Sequence, residues 1–311
     1  MKVIFGIGKV RKRLKNTVLA IGVFDGVHRG HQALIQGAVE RARALGGEAM
    51  VMTFRPHPVH VVHPEIDLPY IVSLPHRLKL IEDLGVDTCI IVHFTKRFSQ
   101  LSPQKFIQRY LAAHIKPKEI FVGDDFRFGQ NRSGTIDYFR EAGRRWGFIV
   151  NIVSAVKGGE DKIGSSIIRR LISEGKLEQA HRLLGRRVSV MGRVVQGCGR
   201  GRRLGFPTAN IHVGEAILPP LGAYAVEVRI GEKIFNGMAN VGCRPSFQKG
   251  RPVNIETHLF DFSGSFYQKE IVIRFIKKIR DEKIFPSKEI FIKQLTKDKR
   301  RAQAVLSRLH S

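Results

Sequence analysis

The chain has 311 residues, 43% of them apolar and 26% charged, a balance that excludes a disordered or fibrous chain and allows two domains with cores of their own. No apolar run approaches the roughly 20 residues that span a bilayer, and Gly6, Gly8 and Lys9 interrupt the N-terminus before the core of a signal sequence can form. The net charge of +26 is spread over both halves, which argues for basic clefts that attract anionic small molecules and against nucleic acid as the main partner.

A cytoplasmic protein with no membrane partner is therefore expected. Cys89, Cys198 and Cys243 show no CxxC spacing, so neither a disulfide framework nor a zinc knuckle is indicated.

The first half alternates strand and helix. Val18–Ile21 is short and wholly apolar, as a parallel strand covered on both faces would be. After it, Leu34, Ile35, Ala38, Val39, Ala42 and Leu45 recur at helical spacing, and Gly46-Gly47 ends that helix. Further strands are expected at Ala49–Phe54, Thr88–Phe94, Ile120–Val122 and Phe148–Val153, with Ser102-Pro103 opening a helix. Two short helices, Ser166–Ser173 and Leu177–Leu184, precede a change of pattern at Gly185. Beyond it, Val188–Val195, Tyr224–Ile230, Lys233–Val241, Asn254–Phe260 and Ile271–Ile276 read as strands of a small antiparallel barrel, and Ser287–Leu309 as one closing helix. The expected domains are thus residues 1–184, α/β with a parallel sheet, and residues 185–311, a β-barrel with a C-terminal helix.

Between the first strand and its helix runs Gly22-Val23-Phe24-Asp25-Gly26-Val27-His28-Arg29-Gly30-His31. Gly22, Gly26 and Gly30 let backbone approach a ligand, and the free N–H groups opening the helix favour an anion. His28 and His31 add donors that follow charge developing on a transferring phosphoryl group. Two solvated turn histidines would be the plain alternative. The stretch resembles the HxGH signature of the nucleotidyltransferase superfamily and, as GxFDGVHxGH, its flavin-nucleotide branch, the prokaryotic bifunctional riboflavin kinase/FMN adenylyltransferases. The resemblance implies a Rossmann-like N-terminal domain in which Gly22, Phe24, Gly26 and Gly30 bind ATP and His28 and His31 are catalytic.

Three more clusters in this half carry the same resemblance. Thr53-Phe54-Arg55-Pro56-His57-Pro58 is similar to the FxPHP element, which implies flavin contacts from Pro56, His57 and Pro58. Gly123 to Gly129 resembles the GxDFxFG loop and implies flavin contacts from Asp125, Phe126 and Phe128, with Asp124 where an aromatic is usual. Ser165-Ser166-Ile167-Ile168-Arg169 sets two hydroxyls at a helix start and an arginine one turn on, a phosphate-holding pattern as well as that of a plain capped helix. It resembles the SSTxIR motif, with Gly164 in place of the first serine, and implies that Ser165, Ser166 and the catalytic Arg169 hold the β and γ phosphates of ATP.

The second half opens on a glycine-rich basic loop, Gly199 to Gly205, that ends in Phe206-Pro207-Thr208-Ala209-Asn210. Backbone can wrap phosphates there while a hydroxyl and an amide oxygen face a hard cation. The loop is similar to GRxLGFPTAN of riboflavin kinases, which implies ATP contacts from Gly199, Gly201, Arg202 and Gly205 and Mg2+ ligation by Thr208 and Asn210. Glu256 is a carboxylate in an otherwise apolar strand, costly there unless paired with an arginine or kept as a proton acceptor. In the resembling ETHLFDF strand it is the catalytic base. Asn240 to Phe247 resembles the GxRPTF turn with Ser246 for threonine, and Arg280-Asp281-Glu282-Lys283-Ile284-Phe285 resembles the RxExxF element, implying flavin contacts from Arg280 and Glu282.

The resemblance, in order from about residue 14 to 305, implies phosphorylation of riboflavin to FMN in the barrel and adenylylation of FMN to FAD in the sheet domain. ATP is co-substrate, Mg2+ the cofactor, and riboflavin, FMN and FAD the ligands; the homo-oligomeric state stays open. A nucleotidyltransferase with another small substrate would leave the C-terminal motifs unexplained, and a basic nucleic-acid binder would retain RNA without turning riboflavin over.

Overall fold

The strand-helix alternation of the first half builds a six-stranded sheet from β1 (Lys2–Phe5), β2 (Val18–Ile21), β3 (Ala49–Arg55), β4 (Thr88–His93), β5 (Glu119–Gly123) and β6 (Ile149–Val153). The spatial order is β1-β4-β3-β2-β5-β6, and every neighbouring pair is parallel. This computed structural model describes residues 1–10, 15–156, 163–195, 205–242, 254–262, 264 and 267–309. The chain moves outward from β2 through β3 to β4, then returns to β5 on the other side, so the strand order reverses between β2 and β5. Ligands of open parallel sheets bind at such a reversal, outside the carboxyl ends of the strands.

Side chains of the central strands alternate between two cores, as the period of two demands. Leu19, Ile21, Met50, Met52, Ile90 and Val92 join Phe106, Phe139 and Phe148 on one face. Val18, Ala20, Ala49, Val51 and Cys89 meet Leu34, Ile35 and Ala38 of α1 (Arg29–Ala44) on the other. Burial pushes the Cys89 thiol up to about 12, so it stays protonated. Helices α2 (Pro58–Val62), α3 (Leu74–Glu82), α4 (Lys96–Ser99), α5 (Pro103–Phe106) and α6 (Ile136–Trp146) complete the layers, with a π-helical stretch at Ile107–Ile115 after α5.

In the second half, β7 (Ser189–Val195), β8 (Ala209–His212), β9 (Gly222–Ile230), β10 (Lys233–Gly242), β11 (Asn254–Leu259) and β12 (Glu270–Asp281) close into a barrel in the order β10-β11-β8-β7-β12-β9. All of its pairs are antiparallel. Val226 faces Phe275, and Val228 faces Ile273, along fully buried rows of the wall. On the opposite side of the wall, Ala225, Met238, Phe260 and Ile276 are covered by Ala302 and Leu306 of α9 (Lys288–Ser307).

Two strands were not foreseen from the sequence. β1 is a four-residue edge strand with half-exposed side chains, and β8 has the weak strand formers Ala209 and Asn210; both are imposed by their partners, β4 and the β7–β11 pair.

Contacts gather the chain into two compact units, Met1–Leu68 with Arg77–Gly164, and Pro69–His76 with Ser165–Ser311. α7 (Ser165–Ser173) and α8 (Leu177–Leu184) pack on each other, and α8 reaches β12, so this helical pair clusters with the barrel. The strap Pro69–His76 joins the same unit through a Tyr70–Ala216 bridge and the Ile217 N–H donating to the Tyr70 carbonyl at 2.7 Å. The boundary at 184/185 read from the pattern change falls after the helical pair, and the contact boundary falls before it.

Candidate functional site

His28 is the N-cap of α1, in extended backbone, so the first turn begins with its side chain in place. Its Nδ1 accepts from the His31 N–H at 3.4 Å, which puts the proton of a neutral ring on Nε2. The His28 and His31 rings stack with centroids 3.6 Å apart. The Phe24 ring meets His31 edge-on at 5.3 Å. His28 is 5% exposed and Phe24 wholly buried, so Phe24 offers the site its backbone and holds His31 with its ring.

The glycines divide the work. A Cβ on Gly22 would lie 2.8 Å from the Phe24 ring, so this position gives up its side chain to seat the aromatic. Gly26 adopts φ +82° between Phe24 at +52° and Val27 at +41°. Left-handed backbone costs about 1–3 kcal/mol at a non-glycine residue and is rarest for a β-branched one, so the loop is strained and held by its surroundings. A Cβ on Gly30, on the first turn, would meet the His28 ring at 3.4 Å, an ordinary contact.

Two residues not singled out from the sequence hold this loop. Thr53 Oγ1 donates to the Val23 carbonyl at 2.7 Å. Arg77 of α3, 0% exposed, donates to the same carbonyl at 3.1 Å. What marks this arginine is its burial, which the sequence does not show, since a buried cation is retained only with partners.

Pro56, His57 and Pro58 follow β3. His57 caps α2 with its Nδ1 accepting from the Val59 N–H at 3.1 Å, and Pro58 takes the first helical position. The loop after β5 presents Asp125 exposed and Phe126 half-buried. Phe128 is buried, its ring stacked on Phe126 at 5.5 Å and tilted against Phe139 at 4.9 Å, so it supports Phe126 from the core. Asp124 does not stand in for an aromatic. Its carboxylate accepts from the Ala155 N–H at 3.0 Å and ties this loop to the end of β6.

Ser165, Ser166 and Arg169 lie on α7 and cluster with the second unit. Arg169 is buried, and its Nε donates to the Pro69 carbonyl at 2.9 Å.

In the barrel, register assembles what sequence separates. Glu256 of β11 sits directly opposite Asn210 of β8 on one side and Asn240 of β10 on the other, so the three share one face of the wall. Asn210 is buried, and its Oδ1 accepts from the Asn254 side-chain amide at 2.8 Å, which fixes the orientation of the amide and of its hard oxygen. His258, two residues along β11, donates from Nδ1 to the Pro207 carbonyl at 2.9 Å and so anchors the segment that carries Thr208. Burial holds the His258 ring below its ordinary value, with the bond to Pro207 opposing that shift and the Lys299 charge adding to it.

Glu282 approaches the same face: a Cβ on Gly242 would meet its Oε1 at 2.6 Å and the Asn240 amide nitrogen at 2.8 Å. Arg280 is held by buried Asp298 at 2.8 Å and by the Phe285 ring at 5.5 Å. Gly205 stands at φ +79°, while Gly199, Gly201, Arg202 and Ser246 lie outside the described residues. Among the described residues no cluster of three His, Cys, Asp or Glu side chains could hold a metal ion, and the hard oxygens that the register brings to this face are those of Asn210, Asn240 and Glu256.

The FAD synthetase family matches residues 10–167 and the riboflavin kinase family residues 184–306. The bifunctional riboflavin kinase/FMN adenylyltransferase of Escherichia coli is 38% identical over 300 residues, 96% of each chain. Its counterpart in Listeria monocytogenes is 39% identical over 297 residues, 94% of each. A solved structure described as a macrolide-efflux protein from Streptococcus pneumoniae is similar at TM-score 0.84 and 30% identity, covering 97% of this chain and 99% of its own. In the present chain no helix among the described residues is long and apolar enough to cross a membrane. With one family following the other along the sequence, and relatives matched nearly end to end, the chain belongs to the bifunctional riboflavin kinase/FMN adenylyltransferases.

Proposed function

We infer that the chain runs two successive steps of flavin synthesis: ATP phosphorylates riboflavin to FMN, and ATP then adenylylates FMN to FAD with release of pyrophosphate. We assign the second step to residues 1–184 and the first to residues 185–311, in a cytosolic enzyme.

For adenylyl transfer, an FMN phosphate oxygen forms a bond to the α-phosphorus of ATP in line as the bond to the pyrophosphate oxygen breaks. No protein nucleophile is needed. The work is positioning and neutralising charge. His28 and His31 donate to the oxygens on which charge develops, and the opening N–H groups of α1 face the same anion. Gly22, Phe24, Gly26 and Gly30 shape that loop. Ser165, Ser166 and Arg169 keep the role of holding the departing pyrophosphate, and Pro56, His57, Pro58, Asp125, Phe126 and Phe128 that of framing the flavin.

For phosphorylation, Glu256 takes the proton of the riboflavin 5'-hydroxyl as that oxygen bonds to the γ-phosphorus of ATP and the bond from that phosphorus to the bridging oxygen breaks, releasing ADP. Thr208 and Asn210 fit Mg2+ by the hardness of their oxygens and by the fixed Asn210 amide. When bound, the ion neutralises charge on the ATP phosphates. Gly199, Gly201, Arg202 and Gly205 wrap those phosphates, and Arg280 and Glu282 border the flavin.

The observation that carries this reading is the register that sets Glu256 opposite Asn210, in a chain whose other half stacks His28 on His31 after a central strand. Incubation with riboflavin, ATP and Mg2+, followed by chromatography, tests it. FMN appearing first and FAD after it is the expected result, and unconsumed riboflavin would refute it.

A further inference from the structure

The strained loop that carries His28 needs something to hold it, and the structure offers one fully buried cation at its base. Arg77 Nη1 reaches the Val23 carbonyl at 3.1 Å, the Phe54 carbonyl at 3.4 Å and Thr53 Oγ1 at 3.5 Å. Thr53 itself donates to the Val23 carbonyl. Val23 follows β2 and Phe54 lies near the end of β3, so one guanidinium spans the carboxyl ends of two adjacent parallel strands. One residue beyond Val23 the backbone turns left-handed at Phe24, and again at Gly26 and Val27 before reaching His28.

The surroundings make Arg77 hard to replace. Arg77 and Ile81 lie on the buried face of α3, one turn apart, and Ile81 is packed with Val18, Val51 and Cys89. An apolar residue would suit that pocket for packing alone, but would leave strand-end carbonyls without their charged donor. All three contacts come from one nitrogen, Nη1, so lysine, which brings a charge and three donors on a flexible stem, would replace only part of what the guanidinium holds in a fixed plane.

We propose that Arg77 is a positioning residue for adenylyl transfer, clamping the Val23 and Phe54 carbonyls with Thr53 so that the strained loop presents His28 and His31 to the nucleotide. The proposal rests on the assignment of that loop to FMN adenylylation. Arg77 touches no reacting atom; it acts through the loop.

The test uses full-length Arg77→Met, Arg77→Lys and Thr53→Val proteins, with His28→Ala and the Arg77→Met/His28→Ala double variant. FAD formation from FMN and FMN formation from riboflavin are measured in the same samples. Displacing a preorganised group by about 1 Å costs about 100-fold, so kcat for FAD formation should fall by about that factor in Arg77→Met while KM for FMN and ATP moves by less than about threefold. Arg77→Lys should recover part of the loss, and riboflavin phosphorylation should be unchanged in both. Because Arg77 acts through the loop that carries His28 and His31, the two losses should not multiply: Arg77→Met should slow the His28→Ala protein by a smaller factor than it slows the unsubstituted one. A destabilised core would instead lower both activities together or multiply the two losses. An Arg77→Met kcat within about twofold of the unsubstituted protein, or losses that multiply, overturns the proposal. Should Arg77→Met fail to fold, Arg77→Lys and Thr53→Val decide: a kcat loss confined to FAD formation supports the clamp, and unchanged kcat in both refutes it. If His28→Ala makes FAD at the full rate, the site assignment falls and the clamp with it.

Discussion

The two phosphate-handling regions meet the same demand with different architecture. In the sheet unit, the proposed site centres on one loop of ten residues, with strained backbone, a histidine N-cap and a stacked second histidine one turn into α1. In the barrel unit, three strands and a following segment each contribute one group, and antiparallel register lines up Asn240, Glu256 and Asn210. A contiguous loop stores its precision in backbone conformation and needs an external clamp, here Thr53 and Arg77. A strand row stores it in the ladder, and its adjustable parts are side-chain amides such as Asn254 on Asn210.

The largest expected effect separates proton transfer from everything else. Glu256→Gln keeps shape and hydrogen bonding but cannot take the hydroxyl proton, so riboflavin phosphorylation should fall by about 100-fold or more, with riboflavin still bound and FAD formation from supplied FMN intact. Normal riboflavin turnover in that protein would return Glu256 to a structural carboxylate. Next, His28→Ala or His31→Ala should each lower adenylyl transfer by about 100-fold, the scale of one lost donor to a developing oxyanion, and spare phosphorylation.

A smaller effect tests the strand row. Asn254→Ala frees the Asn210 amide without touching the ion, so the Mg2+ concentration for half-maximal phosphorylation should rise by about tenfold, as for a lost partner of a metal ligand. Thr208→Val or Asn210→Ala should raise it further. An unchanged Mg2+ requirement in all three would remove the metal from this face.

The smallest effect concerns stability. His76, 3% exposed in the strap of the second unit, is pushed down to about 3 by burial, with the Arg186, Arg229 and Arg274 charges acting in the same direction. Among the described residues its Nδ1 has no hydrogen-bond partner. The fold accepts the neutral ring, whereas the unfolded chain protonates near the ordinary histidine value of about 6.5. The stability is therefore complete above about pH 6.5 and is lost as pH falls toward 3, amounting to about 2 kcal/mol between pH 7 and 5. Urea midpoints at the two pH values, compared with those of His76→Leu, measure it. Equal pH dependence in both proteins would show that His76 is not the group responsible.

How much was legible follows the same division. The His28–His31 loop could be read because its parts are neighbours in sequence and its glycines mark the turn. The clamp could not: Arg77 lies far along the chain in Leu74–Glu82, where an arginine looks like an ordinary solvated helix residue. Phe126 and Phe128 looked alike as alternating aromatics, yet one is half-buried and the other is core, because the packing of α6 against the loop decides which ring turns inward. The identity of Glu256 as an exception in an apolar strand was legible. Its alignment with Asn210 was not, since β8 is too short and too polar to announce itself as a strand.

Complementation shows whether two independent sites work in sequence on one flavin. Supplied with riboflavin, ATP and Mg2+, the His28→Ala protein should accumulate FMN and the Glu256→Gln protein should leave riboflavin unchanged. An equal mixture of the two should make FAD, because each variant retains the step the other lacks. FAD formation from riboflavin by either variant alone at the rate of the unsubstituted protein, or none from the mixture when both proteins are folded, would contradict the account.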